Sequence, residues 1–373
     1  MGDLNAAANS RLPRPVIRPG QKIRVLVVDD SVVIRRLVVH ALEQDPVLQV
    51  VGTASDGAVA LQRIPQLNPD VITLDIEMPV MDGMTALRHI REQYPNLCVI
   101  MFSTLTERGA SATVDALLAG ANDYVTKASN EGSLDRSLLR LQEELVPKIK
   151  QFFQLDAVAA KPPSVPPQPS RVVRHPSPEM SGPRVRKVVA IGISTGGPSA
   201  LGEIIPQFPE NFSVPILIVQ HMPPVFTRLL AERLQAKSKL QVEEAVEGMP
   251  VEPGRVLVAP GNFHLRVVRR QGKVLATLDQ GPPENSCRPA VDVLFRSVGE
   301  IFGGMSVGVV LTGMGQDGLR GVEQLKSQGA YVIAQDSDSS VVWGMPGAVV
   351  TAGLADSVRS LNAVVPEILR QVG

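Results

Sequence analysis

The chain has 373 residues, 44% hydrophobic and 20% charged, a composition that suits an ordinary soluble globular protein with room for two domains and a linker. Lys plus Arg and Asp plus Glu each number 37, so bulk charge gives no reason to expect nucleic acid or an anionic membrane surface as partner. Cys98 and Cys287 are the only cysteines, which excludes a disulfide framework, offers no spaced metal-ligand motif and favours a reducing compartment.

Residues 1–20 are polar, contain Pro and Arg, and lack the apolar core of a signal peptide, so a disordered tail is expected there. No later stretch approaches the length of a membrane span, and a cytoplasmic location is expected. From residue 21, apolar strands (23–28, 48–54, 71–75, 99–103 and 123–127) alternate with helical segments, one of them starting at Ser31. That alternation makes a doubly wound parallel sheet the expected fold. A closing helix is expected over 134–153, where apolar residues recur at helical spacing. Residues 161–187 hold eight prolines and six Lys or Arg against one Glu, the composition of an extended basic linker that cannot pack a core. A second alternating region covers 188–371, with strands at 188–193, 214–220, 255–260, 306–312 and 330–336 and helices such as 223–238 and 317–329. Within it, 264–278 turns at Gln271-Gly272 as an inserted β-hairpin, and Trp343 is assigned to packing.

In the first region Asp29 and Asp30 end the first strand and Asp75 ends the third. Open parallel sheets bind ligands outside the carboxyl ends of their strands, so these carboxylates should converge. Clustered carboxylates repel one another and call for a hard divalent cation with oxygen ligands, Mg²⁺ above all. A carboxylate held beside Mg²⁺ can attack a phosphoryl donor and become an aspartyl phosphate. Ser103 and Lys127, at the ends of the fourth and fifth strands, would supply a hydroxyl and an ammonium for phosphoryl oxygens. Capping of a helix by Asp29-Asp30-Ser31 is the plainer reading, but it leaves Asp75, Ser103 and Lys127 without a reason.

In the second region the strand 188–193 runs straight into Ser194-Thr195-Gly196-Gly197-Pro198. The glycines permit a tight turn, and Pro198 suits the first turn of a helix. A serine on such a turn is lifted out of the sheet beside the N–H groups of the helix start, the geometry of a nucleophile elbow. A phosphate-binding glycine loop is the alternative, weakened because no Lys follows the glycines and no G-x-G-x-x-G is present. A serine nucleophile needs a base and a group to orient it. His40 and His89 lie in helices of the first region and His175 in the linker, which leaves His221, directly after a strand, and His264, the weaker candidate, at the start of the hairpin. Asp317 follows the strand 306–312 through a glycine-bracketed loop and could orient the base or merely cap a helix.

The segments VVDDSVVIRR (27–36), LDIEMPVMDG (74–83), FST (102–104) and DYVTK (123–127) resemble the receiver domain of two-component response regulators over about 120 residues. The resemblance implies Asp75 as phosphoacceptor, with Asp29, Asp30, Asp75 and the backbone carbonyl of Glu77 as Mg²⁺ ligands. It also implies Ser103 and Lys127 as the phosphate-sensing pair and Tyr124 as a switch aromatic. Receivers usually carry a cis proline after the lysine; here Ala128 follows Lys127, and a trans bond is expected because a non-proline cis bond costs about 2.5–4 kcal/mol.

AIGISTGGPSAL (190–201), VQHMPPVFT (219–227), VAPGNFHL (258–265), RPAVDVLF (288–295), LTGMGQDG (311–318) and GMPGAVV (344–350) resemble the chemotaxis protein-glutamate methylesterases, the CheB family. A receiver ahead of that domain is also the family's layout. The implied fold is α/β with two doubly wound parallel-sheet domains, a flavodoxin-like receiver and a Rossmann-like methylesterase domain. The expected division is a tail over 1–20, a receiver over 21–145, a helix end and Pro/Arg-rich linker over 146–187, and a catalytic domain over 188–371. The implied activity is phosphorylation-activated hydrolysis of glutamyl methyl esters on methyl-accepting chemotaxis receptors, releasing methanol, together with deamidation of receptor glutamines. Ser194 would be the nucleophile, His221 the base and Asp317 its partner, with backbone N–H groups at Thr195 and around Met314 as oxyanion candidates. A chemotaxis histidine kinase would donate the phosphoryl group, the esterase step would need no cofactor, and neither nucleic acid nor membrane insertion is expected. The rival readings are a DNA-binding response regulator, for which the second region offers no helix-turn-helix, and a catalytically silent scaffold, against which the retained Ser194, His221 and Asp317 argue.

Overall fold

The computed structural model describes residues 16–104, 106–127, 134–155 and 186–373. In chain order, the first part comprises β1 (Val16–Ile17), β2 (Ile23–Val28), α1 (Val32–Glu43), β3 (Leu48–Ala54), α2 (Gly57–Leu67), β4 (Val71–Asp75), α3 (Gly83–Gln93), β5 (Cys98–Ser103), α4 (Glu107–Leu118), β6 (Asp123–Thr126), α5 (Leu134–Lys150) and β7 (Gln154–Leu155). Five strands form a parallel sheet in the order β3-β2-β4-β5-β6, with helices on both faces. The central strands are apolar throughout because both faces are covered, and every residue of β4 and β5 is buried. Side chains at the strand ends start the helices: Ser31 accepts from the Ile34 N–H, Asp56 from Val59, Asp82 from Thr85 and Thr106 from Gly109.

Two boundaries differ from the sequence expectation. Residues 16–17, expected in a disordered tail, form β1 and pair in parallel with β7, because the β-branched Val16-Ile17 pair finds an open strand at the far end of the same domain. The helix expected to run to 153 ends at Lys150, and residues up to 155, expected as linker, pack with the first sheet: Ile149, Phe152 and Phe153 are buried in its core. All but the last two residues of the linker expected over 161–187, and the Lys127–Ala128 bond, lie outside the described residues.

The second part comprises β8 (Val188–Ile193), α6 (Gly197–Ile204), β9 (Ile216–Gln220), α7 (Phe226–Gln235), β10 (Gln241–Glu244), β11 (Arg255–Val258), β12 (His264–Arg270), β13 (Lys273–Asp279), α8 (Val291–Phe302), β14 (Ser306–Val310), α9 (Leu319–Ser327), β15 (Tyr331–Gln335), α10 (Met345–Thr351), β16 (Ser357–Arg359) and α11 (Leu361–Val372). Its parallel sheet runs β10-β11-β9-β8-β14-β15-β16, two strands more than expected; β10 and β16 are short edge strands whose polar residues hide them from an apolar-run reading. The expected hairpin is β12-β13, antiparallel and turning at Gln271-Gly272. From β8 the chain goes to β9 on one side, and it later returns to β14 on the other. The crevice at the carboxyl ends of β8, β9 and β14 is thus the switch point where such sheets place ligands. The two domains pack through α4 against α6 and α7, and apolar contact runs unbroken across that seam.

Candidate active site

Ser194 follows the last residue of β8, and its N–H bonds Thr312 O, two residues past the end of β14. The chain then turns sharply: Gly196 has φ +77°, and a Cβ there would meet the Val341 side chain at 2.6 Å. A Cβ on Gly197 would overlap Gln220 Oε1, so only glycine lets α6 start this close to β9. The Gln220 amide donates to Ser194 O (3.0 Å) and to His221 O (3.3 Å), tying the turn that carries the serine to the strand end that carries the histidine.

His221 Nε2 lies 2.8 Å from Asp317 Oδ2. Asp317 is buried at the amino end of α8, where the Val291 and Asp292 N–H groups donate to it at 2.7 and 3.1 Å; Gly318 N–H and the Asn285 amide add two bonds of 2.9 Å. Burial pushes the Asp317 carboxyl upward, but His221 and the helix-start N–H groups outweigh it and hold it below its ordinary value. Burial pulls the His221 imidazole down, yet the bond to Asp317, aided by Cys287, lifts it to about 9. A carboxylate only accepts, so Nε2 carries a proton in both charge states and Nδ1 is the nitrogen that gains or loses one. Nδ1 faces Cys287 Sγ at 3.6 Å, and among the described residues Ser194 Oγ makes no hydrogen bond.

Cys287 and Asn285 are functional neighbours that the sequence reading missed. They sit on a tight turn in which Glu284 and Cys287 exchange both backbone hydrogen bonds, with φ +51° at Asn285 and +62° at Ser286, the pattern of a type I′ turn. Only the Asn-Ser pair hints at that turn in the sequence, and nothing there says that it is aimed at His221. His264, the weaker base candidate, is buried away from this pair, its ring joined to the Pro282 carbonyl (3.1 Å) and the Ala290 N–H (3.2 Å). Trp343 packs as expected, its Nε1 donating to Gln335 O.

Ser194, Thr195, His221, Cys287 and Met314 line one cavity of about 460 Å³. One wall comes from the first domain, where Asp123, Tyr124, Lys148 and Gln151 face the cavity. Thr195 Oγ1 reaches Asp123 Oδ2 and Gln151 Oε1, both at 3.4 Å. The Tyr124 ring stacks on Phe226 of α7 at 5.0 Å, with Lys148 Nζ 4.9 Å from its centre.

At the carboxyl ends of β2 and β4, Asp29, Asp30 and Asp75 bring carboxylate oxygens within 4.8 Å of one another. Asp29 and Asp75 are buried, Asp30 is exposed, and Lys127 Nζ bridges the buried two at 2.8 and 2.7 Å. Burial raises the Asp75 carboxyl to about 6 against the pull of Lys127. Crowded carboxylates with an all-oxygen donor set fit a hard divalent cation. Glu77 follows, its N–H bonded to Asp75, and it lines a second cavity together with Asp30. Ser103 is turned into its own loop, accepting from Thr113 Oγ1 at 2.6 Å beside Gly109 O, and among the described residues it does not bond Asp75.

The response regulator receiver domain family matches residues 25–138, and the CheB methylesterase family matches residues 189–368. A protein-glutamate methylesterase/protein-glutamine glutaminase of Trichodesmium erythraeum is 49% identical over 352 residues, covering 94% of this chain and 99% of that one. Its counterpart in a Nocardioides species is 49% identical over 94% of this chain and 95% of its own. That of Pyrococcus abyssi is 43% identical over 95% of this chain and 94% of its own. Among the described residues no helix is long and apolar enough to cross a membrane.

Proposed function

The chain belongs to the CheB methylesterase family, and from that premise we propose that it is a cytoplasmic, phosphorylation-activated esterase that removes methyl groups from glutamyl methyl esters on methyl-accepting chemotaxis receptors and deamidates receptor glutamines. The observation that carries this reading is the His221–Asp317 pair, joined at 2.8 Å, in the same cavity as Ser194 and behind a wall supplied by the receiver.

Ser194 Oγ attacks the ester carbonyl while His221 Nδ1, the nitrogen not committed to Asp317, takes its proton. The proton passes to the departing methanol, and a water deprotonated by the same nitrogen then releases the glutamate. Asp317 keeps the proton on Nε2 and balances the charged imidazole. Backbone N–H groups at Thr195 and around Met314, both on this cavity, are the candidates to receive the oxyanion. A glutamine side chain follows the same route with ammonia as leaving group.

Asp75 is the phosphoacceptor. Asp29, Asp30, Asp75 and the Glu77 carbonyl would hold Mg²⁺, which neutralises the carboxylates and the incoming phosphoryl oxygens when bound. Lys127 and Ser103 answer the phosphoryl group, Ser103 by leaving its Gly109 and Thr113 contacts. Tyr124, on the strand β6 that leads to Lys127, stacks on Phe226, so a shift of the receiver is felt at the wall of the esterase cavity. The functional outline is a receiver whose packing runs from β1 to residue 155 and an esterase domain over 188–371.

The test is methanol release from membranes carrying methylated receptors, with and without a phosphodonor such as a chemotaxis histidine kinase. Release that rises on phosphorylation is expected. No release in either state, from a chain whose Asp75 takes up phosphate, would leave a silent response regulator as the reading.

A further inference from the structure

Three features place a second chemistry on His221. Its titrating nitrogen, Nδ1, lies 3.6 Å from the thiol of Cys287, and His221, Cys287 and Asp317 each offer a donor atom within 4.8 Å of the others. Zinc binds thiolate sulfur at about 2.3 Å and imidazole nitrogen at about 2.0–2.1 Å, so two such ligands on a tetrahedral ion stand roughly 3.6 Å apart. The spacing found is the spacing zinc needs. The carboxylate of Asp317 at the other ring nitrogen supplies the outer partner that fixes a metal-bound histidine's tautomer and orientation. The turn carrying Cys287 is held by its own backbone bonds and by the Asn285 bonds to Asp292 and Asp317, so the thiol is already in position.

We propose that Cys287 Sγ and His221 Nδ1 form a binding site for a borderline-soft divalent cation, zinc foremost, whose occupation shuts off the esterase by capturing the nitrogen that must take the Ser194 proton. The thiol proton leaves to solvent as the sulfur binds, and no redox change is involved. The cavity leaves the remaining coordination positions open to water. The inhibition rests on the role of His221 proposed above; the binding does not.

The test uses the full chain in excess Mg²⁺, which keeps the Asp29–Asp75 site filled. Zinc is titrated against a chromophoric chelator, and alkylation of Cys287 by iodoacetamide is followed by mass; Cys98, buried in β5, does not react. Wild type should bind one zinc more than Cys287→Ala or Cys287→Ser, and zinc should slow alkylation about ten-fold or more. His221→Ala keeps the thiol and should lose that protection. Methanol release by the phosphorylated wild type should fall with zinc and return with a chelator, while each cysteine variant, compared with its own zinc-free rate, should be insensitive. Equal zinc stoichiometry in wild type and variants, unprotected alkylation, or undiminished release with the site occupied would each overturn the proposal. Absence of methanol release without zinc would overturn the esterase reading instead, and alkylation would then decide the site.

Discussion

The guanidinium of Arg233, on α7 of the esterase domain, holds the carboxylate of Asp115, on α4 of the receiver, through two bonds of 2.7 and 3.1 Å. Ser111 Oγ takes a third bond from the same guanidinium at 2.8 Å, and Arg228 reaches Glu107 one turn away at 2.6 Å. These contacts clamp α4, whose Arg108 and Ala112 line the cavity beside Asp30 and Glu77 and whose Leu117 lines the cavity of Ser194. Both members of the main pair are more than a third exposed, so solvent screens them and about 0.5–1 kcal/mol is the scale expected.

Arg233→Ala should therefore loosen the resting arrangement only modestly. Methanol release by the unphosphorylated variant should rise by about two- to five-fold, the equivalent of that free energy, while the phosphorylated rate stays close to wild type. A basal rate unchanged in a well-folded variant would mean that the pair does not restrain the resting state.

Asp75→Asn should abolish phosphate uptake from acetyl phosphate with Mg²⁺, read by intact mass. Asn keeps the shape but cannot act as the nucleophile, and Asp29 and Asp30 are left in place. An adduct at full stoichiometry in that variant would assign the acceptor role to another carboxylate.

Ser194→Ala should lose about 10⁶ in kcat, the scale of removing a serine nucleophile, with phosphate uptake intact. His221→Ala should be nearly as severe. His264→Ala should act on stability instead: it strips partners from the Pro282 carbonyl and the Ala290 N–H in a buried place, at a cost of about 1–3 kcal/mol seen as a lower Tm. If the His264 variant lost as much activity as Ser194→Ala while His221→Ala did not, the base would be misassigned.

Much of this was readable from the chain because parallel sheets advertise themselves. Their central strands are apolar runs, and chemistry-bearing residues fall at the ends: Asp29 after β2, Asp75 in β4, Ser194 after β8, His221 after β9. What stayed hidden depends on tertiary packing. The edge strands β10 and β16 are polar, so periodicity did not find them. Cys287 lies 66 residues from His221 in the chain, and only the packing of β9 beside the turn at Asn285-Ser286 brings them together. Arg233 and Asp115, 118 residues apart, look like two solvated helix charges until α4 meets α7.

Asp317→Asn tests the electrostatics of the base. The His221 imidazole is lifted from its ordinary 6.5 to about 9 chiefly by its bond to Asp317. A protonated imidazole cannot take the serine proton, so kcat/KM should climb with pH and level off only near 9. The pairing should also stabilise the fold fully below about 6.5 and fade as pH rises through about 9, because the folded state binds the proton more tightly than the unfolded one. With the carboxylate gone, burial pulls the imidazole down against Cys287 alone, so the rising limb should move below 9. The rate at every pH should nonetheless drop by about 10³–10⁴, since an amide no longer secures the proton on Nε2. A wild-type profile that is flat from pH 6 to 9, or a limb that stays near 9 in the Asn variant, would show that Asp317 does not set the proton affinity of His221.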